Sequence, residues 1–283
     1  MGVSETVRAA VVQMDVTIGD NAGNLVRVLE KLDEAARNGA GLVVFPECAL
    51  SGYCFASLAE ARPYAEHSCG ESAEAFSECC SALGVTGVLG FLDGERGGDA
   101  CWNSALLALP DHTRSVYSKT HLPTLGVDRF VTPGDCLKVY STPVGSVGLL
   151  ICYDIRFPEA ARCLGLLGAD ILALPTNWPE GAESGPDFLT RARAWENRFY
   201  VLAANRVGVE RGRRFIGRSQ IVAPTGEILC EVGPEEETIL YADLDLSFAR
   251  QKRIVIEPGE WELDITGDRR PELYGILTKG ANP

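Results

Sequence analysis

Apolar residues along this chain follow two alternating patterns. Val7–Met14 is a nearly continuous apolar run that reads as a buried strand. Asn24–Ala40 then places Leu25, Val28, Leu29, Leu32, Ala35 and Ala36 at helical spacing and closes at Gly39 and Gly41. Leu42–Phe45 is a short buried strand and Glu71–Leu83 a helix. Val85–Leu92 and Ser104–Leu109 are strands on either side of Asp93–Asp99, a turn-rich loop of hairpin type. Arg114–Ser118, Leu137–Tyr140 and Ser146–Ile151 are strands, Pro158–Leu167 a helix, Ile171–Leu174 a strand and Asp187–Arg198 a helix. Tyr200–Arg206 and Phe215–Ala223 are strands, a turn follows at Pro224–Glu227, and Ile239–Leu244 is the final strand, with a helix beginning near Ser247. Strands and helices alternate in both halves, with no linker and no strong internal repeat. This predicts one α/β domain of layered sheets over residues 1–283. Its core spans about 7–250, and 251–283, rich in Pro, Gly and charge, reads as an extended tail.

Three of these segments deliver an ionisable residue at a strand end. Leu42–Pro46 leads to Glu47, Arg114–Ser118 to Lys119, and Val147–Ile151 to Cys152. The thiol also lies just ahead of the helix that starts near Pro158, where backbone dipoles favour a thiolate. A carboxylate, an ammonium and a thiol in the same local setting suggest one shared site.

Composition narrows the function classes. The net charge is −13, from 26 basic and 39 acidic residues, which argues against nucleic acid or an anionic membrane as partner. No apolar run approaches the ~18 residues of a membrane span. Neither a basic leader nor a long apolar stretch precedes Val7, so a cytoplasmic location is expected. Met1–Thr6 fits the bare myristoylation pattern, but so short a pattern arises easily by chance. The ten cysteines include no Cys-x-x-Cys pair, and the three histidines share no ligand spacing with them. No metal and no cofactor are expected, and most of the thiols read as small buried hydrophobes in a reducing compartment.

If Glu47, Lys119 and Cys152 converge, their chemistry is complementary. A free thiol near neutral pH is mostly protonated, so attack needs a base and a stabilised thiolate. Glu47 in a dry pocket could take the thiol proton and return it to a leaving amine. Lys119 would hold negative charges apart, and the Tyr153 N–H after the nucleophile is a natural oxyanion donor. Taken singly, each residue has a bland reading: a buried packing cysteine, a solvated turn glutamate, a surface lysine.

The motifs raise the joint reading. Phe45-Pro46-Glu47, Lys119-Thr120-His121-Leu122 and Cys152-Tyr153-Asp154-Ile155-Arg156-Phe157-Pro158-Glu159 resemble, in order and spacing, the Glu-Lys-Cys motifs of the nitrilase superfamily of carbon–nitrogen hydrolases. Ala9–Asp15, Pro133-Gly134-Asp135, Gly168-Ala169-Asp170, Arg193–Asn197 and Gly217-Arg218-Ser219 extend the likeness over roughly 7–250. The resemblance implies an α-β-β-α sandwich and a homodimer that extends it, with the helix after the nucleophile and the one near 187–198 at the interface. Arg191, Arg193 and Glu196 then read as a solvated or interface helix face. Many relatives place a second glutamate in the loop after the lysine. Here that column falls on or beside Val127, so Asp128 is the expected substitute.

Tyr153-Asp154 after the cysteine, rather than Trp-Glu, sets the chain apart from typical nitrile hydrolases and resembles the amidase-like branch that includes ω-amidases. Arg156 stands alone rather than paired. It either binds a substrate carboxylate or forms a salt bridge with Asp154, Glu159 or a partner subunit. Asn177 and Trp178 follow the strand Ile171–Leu174, and Tyr53 follows Glu47 closely, so each is placed either to line a pocket or to fill a core. The expectation is a thiol amidohydrolase acting on a small linear amide through a Cys152 thioester. An N-carbamoyl hydrolase or nitrilase is the alternative, then an acyltransferase or a non-catalytic relative.

Overall fold

A computed structural model describes residues 5–95 and 98–279. Its first half supplies β1 (Thr6–Gln13), α1 (Asn21–Arg37), β2 (Leu42–Val44), α2 (Leu58–Ala61), α3 (Glu71–Leu83), β3 (Thr86–Gly94), β4 (Cys101–Ala108) and β5 (Arg114–Ser118). Along these strands successive side chains face opposite ways. Ala9, Val11, Leu42, Val44, Val88, Ala105 and Leu107 enter a core shared with the second sheet. Ala10, Val12, Val43, Leu89, Leu106 and Ala108 pack instead beneath α1 and α3, against Val28, Leu32, Ala35, Phe76 and Cys80. Burial on both faces is why these strands read as continuous apolar runs rather than alternating ones. Leu32 shows the energetic scale: it is fully buried, and truncation to Ala would cost about 2–5 kcal/mol. Asp20 caps α1 by accepting the Gly23 N–H at 3.0 Å, and Gly84 ends α3 at φ 68°, a left-handed geometry that glycine adopts at no steric cost.

The second half supplies β6 (Val139–Thr142), β7 (Gly145–Leu149), α4 (Pro158–Leu166), β8 (Ile171–Pro175), α5 (Thr190–Asn197) and β9 (Tyr200–Ala204). A small hairpin, β10 (Val209–Glu210) with β11 (Arg213–Arg214), precedes β12 (Gln220–Val222), β13 (Ile228–Glu231), β14 (Thr238–Asp245) and α6 (Leu246–Arg250). Among the described residues there are two six-stranded sheets, ordered β14-β1-β2-β3-β4-β5 and β13-β12-β9-β8-β7-β6. Each has parallel strands at its centre (β1-β2-β3 and β7-β8-β9) and antiparallel pairs outside them. With α1 and α3 outside one sheet and α4 and α5 outside the other, the expected α-β-β-α sandwich is present.

This topology positions the site. The carboxyl ends of parallel strands share one edge, where open α/β sheets place their ligands. Glu47 follows β2, Cys152 follows β7 and Asn177 follows β8. β5 is antiparallel to β4, which is antiparallel to β3, so β5 delivers Lys119 to that same edge. The parallel bridge between Met14 and Arg206 aligns the matching ends of the two sheets.

Some boundaries differ from the sequence reading. The expected strand Phe215–Ala223 is reduced to β12, because Gly217 and Arg218 both adopt left-handed φ and turn the chain. The expected helix from Asp187 opens as a π-helical turn, Gly185–Leu189, before α5. The segment read as an extended tail is folded: β15 (Arg253–Glu257) pairs with β16 (Trp261–Asp264), and short 3-10 turns follow at Pro271–Leu273 and Gly275–Thr278. Its Pro258-Gly259 pair is a hairpin turn between alternating apolar positions, a signal masked by the surrounding charge. The acylation-like pattern lies in part on residues 1–4, outside the described residues.

Candidate active site

The three strand-end residues meet. Glu47 and Lys119 are fully buried, and Lys119 Nζ donates to Glu47 Oε1 at 2.7 Å. Both act electrostatically on the thiol of Cys152, which keeps 6% exposure.

Local backbone explains how each residue arrives. Glu47 sits on a turn that presses on β3: a Cβ added at Gly90 would lie 2.2 Å from Pro46 O and 2.6 Å from Glu47 Cα, so only glycine fits. Cys152 has φ 46° and opens the 3-10 turn Cys152–Arg156. This left-handed, non-glycine geometry is of the kind that persists where surrounding structure over-determines it. The Tyr153 N–H belongs to the first turn of that element, whose N–H groups have no partner within the turn.

Asp154 supplies much of that over-determination. Its buried carboxylate accepts from Ile151 N (3.0 Å), Tyr117 OH (2.8 Å), Thr120 Oγ1 (3.0 Å) and His121 N (2.9 Å). His121 Nδ1 lies 2.7 Å away, with its ring stacked on Phe157 at 3.8 Å. One side chain thus ties the Cys152–Arg156 turn to the lysine loop.

Asp128, expected as the substitute for the second glutamate, pairs with Lys119. Lys119 Nζ donates to its Oδ2 at 2.6 Å, and Tyr53 OH donates to the same oxygen at 2.7 Å. Tyr53 is therefore a fully enclosed strut behind the lysine. Asn103 on β4 escaped the sequence reading. Its Nδ2 donates to Glu47 Oε1 at 2.6 Å and to Asp128 Oδ1 at 2.8 Å, holding two like charges in register. Its Oδ1 faces the Cys48 thiol at 3.7 Å, which fixes the amide's orientation. No local motif separates such an asparagine from any other on a strand. Glu210 was missed for the same reason: paired with the buried Arg206 at 2.6 Å, it accepts from Tyr53 N at 2.9 Å and from Cys54 N.

Two carboxylates and one ammonium in a dry pocket set the electrostatics. Burial works against the Lys119 cation, but Asp128 and Glu47 together outweigh it and hold the amine well above its ordinary value. Burial, then Asp128, raises the Glu47 carboxyl, against the lowering effect of Lys119 and Asn103. Burial, then Glu47, pushes the Cys152 thiol well above its usual range, while Lys119 and the Asn177 N–H pull the other way. Burial thus favours the protonated form of the Cys152 thiol. Glu47 Oε2 has no hydrogen-bond partner.

Among the remaining expected residues, Asn177 is buried and donates from Nδ2 to Glu47 O at 2.9 Å, and Trp178 is also buried. Arg156 is exposed and makes no salt bridge with Asp154 or Glu159. Asp154 is committed to the lysine loop instead. Arg193 is largely buried and donates to the carbonyls of Ile155 (3.0 Å) and Arg156 (3.3 Å), bracing the Cys152–Arg156 turn rather than lying solvated. A cavity of about 610 Å³ lies between the loop after Lys119 and α4, lined by Thr120, His121, Cys136, Leu137, Cys163 and Leu167 among others, and none of Glu47, Lys119, Asp128 and Cys152 lines it. Among the described residues, no group of three or more His, Cys, Asp and Glu side chains could hold a metal ion.

Comparison with known proteins places the chain in a family. The carbon-nitrogen hydrolase family matches residues 8–254. The chain belongs to that family. This carbon–nitrogen hydrolase is 37% identical to a nitrilase from Pyrococcus abyssi over 95% of its length and 99% of the relative's. It is 35% identical to an omega-amidase from Danio rerio, covering 95% and 96% of the two chains. A carbon-nitrogen hydrolase from Helicobacter pylori superposes with a TM-score of 0.85 at 27% identity, over 98% and 99% of the chains. An amidase of the nitrilase superfamily from Nesterenkonia gives 0.78 at 26% identity, over 96% and 97%.

Proposed function

We propose that this hydrolase cleaves the C–N bond of a small linear amide through a thioester on Cys152. The observation that carries the reading is the division of labour at Glu47. Oε1 is held by Lys119 and Asn103, whereas Oε2 is buried and unpartnered, in a carboxylate whose charge acts on the Cys152 thiol. In the first half-reaction Glu47 Oε2 takes the thiol proton as Sγ bonds to the amide carbon. Lys119 and the Tyr153 N–H face the oxyanion, where fixed donors in a dry site act most strongly. The proton then passes to the amide nitrogen, the C–N bond breaks and ammonia or an amine leaves. Water next gives its proton to Glu47, its oxygen bonds to the thioester carbon, and the S–C bond breaks with the proton returned to sulfur. Asp128, Asn103 and Tyr53 hold the lysine and the base without touching the reacting atoms.

An amide is favoured over a nitrile by Cys152-Tyr153-Asp154 and by the omega-amidase and amidase among the similar proteins. Covalent addition of acrylamide and of an acetamide moiety at the active-site cysteine of the Nesterenkonia enzyme supports a nucleophilic role for the equivalent thiol. The Pyrococcus abyssi nitrilase supports nitrile hydrolysis as the second reading. Arg156, exposed and without a salt bridge among the described residues, is available to a substrate carboxylate. Exposed Leu166, Leu167, Phe188 and Trp195 on and beside α4 and α5 support a homodimer through those helices. Ammonia release from succinamate, glutaramate, butyramide, an N-carbamoyl amino acid and an aliphatic nitrile tests the reading, with Cys152→Ala as control. Cysteine-dependent release from the amides is expected; release confined to the nitrile or the carbamoyl compound would overturn it.

A further inference from the structure

Two buried acceptor atoms at this site lack a hydrogen-bond partner: Glu47 Oε2 and Asn177 Oδ1. Buried polar atoms are ordinarily paired, so an orphan at a reactive centre points to a ligand. Asn177 is rigidly placed. Thr176 N donates to Ala204 O (2.8 Å), Trp178 N to Asn205 Oδ1 (2.8 Å), and Asn177 Nδ2 to Glu47 O (2.9 Å). The last bond also fixes the amide's orientation, because turned over it would set Oδ1 against a carbonyl oxygen. The backbone N–H of the same residue acts on the Cys152 thiol. Asn177 thus stands beside both the nucleophile and the base, with one acceptor unused.

We propose that Asn177 Oδ1 accepts an N–H of the substrate's –NH2 group while Glu47 Oε2 faces the same nitrogen, so that the pocket selects unsubstituted carboxamides. This rests on the amidohydrolase reading above and specifies its leaving group. Once Sγ has bonded to the amide carbon, the nitrogen is pyramidal, with two N–H bonds and a lone pair. One N–H on Asn177 Oδ1 turns the lone pair towards the proton on Glu47 Oε2. That proton moves to nitrogen, the C–N bond breaks and ammonia departs. An ester oxygen offers no N–H to this acceptor, a nitrile nitrogen offers none before attack, and an N-methyl group occupies the space of one hydrogen.

The experiment compares kcat/KM for succinamate with monomethyl succinate, and for butyramide with methyl butyrate, in wild type, Asn177→Ala and Asn177→Ser. Loss of the Nδ2 bond to the Glu47 carbonyl affects amide and ester alike, so the amide-to-ester ratio isolates Oδ1. The ratio is expected to fall roughly tenfold in both variants, the scale of one hydrogen bond to a reacting group. An unchanged ratio overturns the inference while leaving the amidohydrolase reading intact. Ester hydrolysis by a wild-type enzyme that releases no ammonia from either amide overturns both. Wild type alone gives a second measure that needs no variant to fold. N-methylbutyramide should be turned over at least about tenfold more slowly than butyramide, and equal rates would contradict a pocket that counts both hydrogens.

Discussion

Replacing Asn103 with leucine removes the amide that donates to both buried carboxylates while keeping its branched shape. The bonds lost are 2.6 Å to Glu47 Oε1 and 2.8 Å to Asp128 Oδ1. A hydrogen bond to a charged group contributes about 1.5–3 kcal/mol. At 1.36 kcal/mol per pKa unit, the bond to Glu47 corresponds to a displacement of about one to two units. The sign follows from which form the bond favours. Asn103 donates to the carboxylate and so lowers a pKa that burial, then Asp128, has raised; without it the Glu47 carboxyl titrates higher still. Glu47 is active as the carboxylate, so the acid limb of kcat/KM should move up by about one to two pH units. The groups facing Glu47 are Lys119, Asp128, Cys48, Cys152 and Tyr53, and none of them is changed by the substitution. The assay is ammonia release from pH 5 to 9, with thermal unfolding followed in parallel. Lower activity at every pH with an unmoved acid limb would show that Asn103 merely fills space.

Other perturbations test separate parts of the account. Burial holds the Cys152 thiol well above its ordinary pKa, so carbamidomethylation at that residue, read by peptide mass spectrometry, should keep rising with pH to alkaline values; a plateau reached below neutrality would contradict the neutral-thiol ground state. Glu47→Gln should lower kcat by about 10²–10⁴ with KM little changed, and a loss in KM alone would count against a proton-transfer role. Glu210→Gln leaves the buried Arg206 with only the half-exposed Asp15 as charged partner and should cost about 1–3 kcal/mol in denaturant unfolding, whereas an unchanged midpoint would refute the assignment of the Arg206–Glu210 pair as a buried support for Tyr53. Trp195→Glu, on the exposed face of α5, should shift sedimentation towards monomer, and an unaltered profile would place any dimer interface elsewhere.

Much of the sandwich was legible because its signals are local. The α1 stripe, the strand Leu42–Val44 and the helix Glu71–Leu83 rest on periodicity, caps and glycine punctuation, and fall within a few residues of where they were expected. The tail was misjudged because composition outweighed a short alternating pattern around Pro258-Gly259. Within the site, Glu47, Lys119 and Cys152 stood out as ionisable residues ending apolar strands, a property of the sequence next to them. Asp128 was reachable by counting along one loop. Asn103 and Glu210 owe their places to contacts 56 and 157 positions away along the chain, which no local pattern carries. Arg156 had the reverse fate: proximity in sequence suggested a bond to Asp154, but the tertiary fold gives Asp154 to Tyr117, Thr120 and His121.

The central claim is a covalent acyl–sulfur intermediate on Cys152. Wild type turning over succinamate should be quenched in acid within milliseconds to seconds, digested and read by mass spectrometry across its ten free cysteines. The account predicts a hydroxylamine-labile acyl adduct on the peptide carrying Cys152, and no ammonia release by Cys152→Ala. An adduct confined to another cysteine, or undiminished ammonia release by Cys152→Ala, would contradict it.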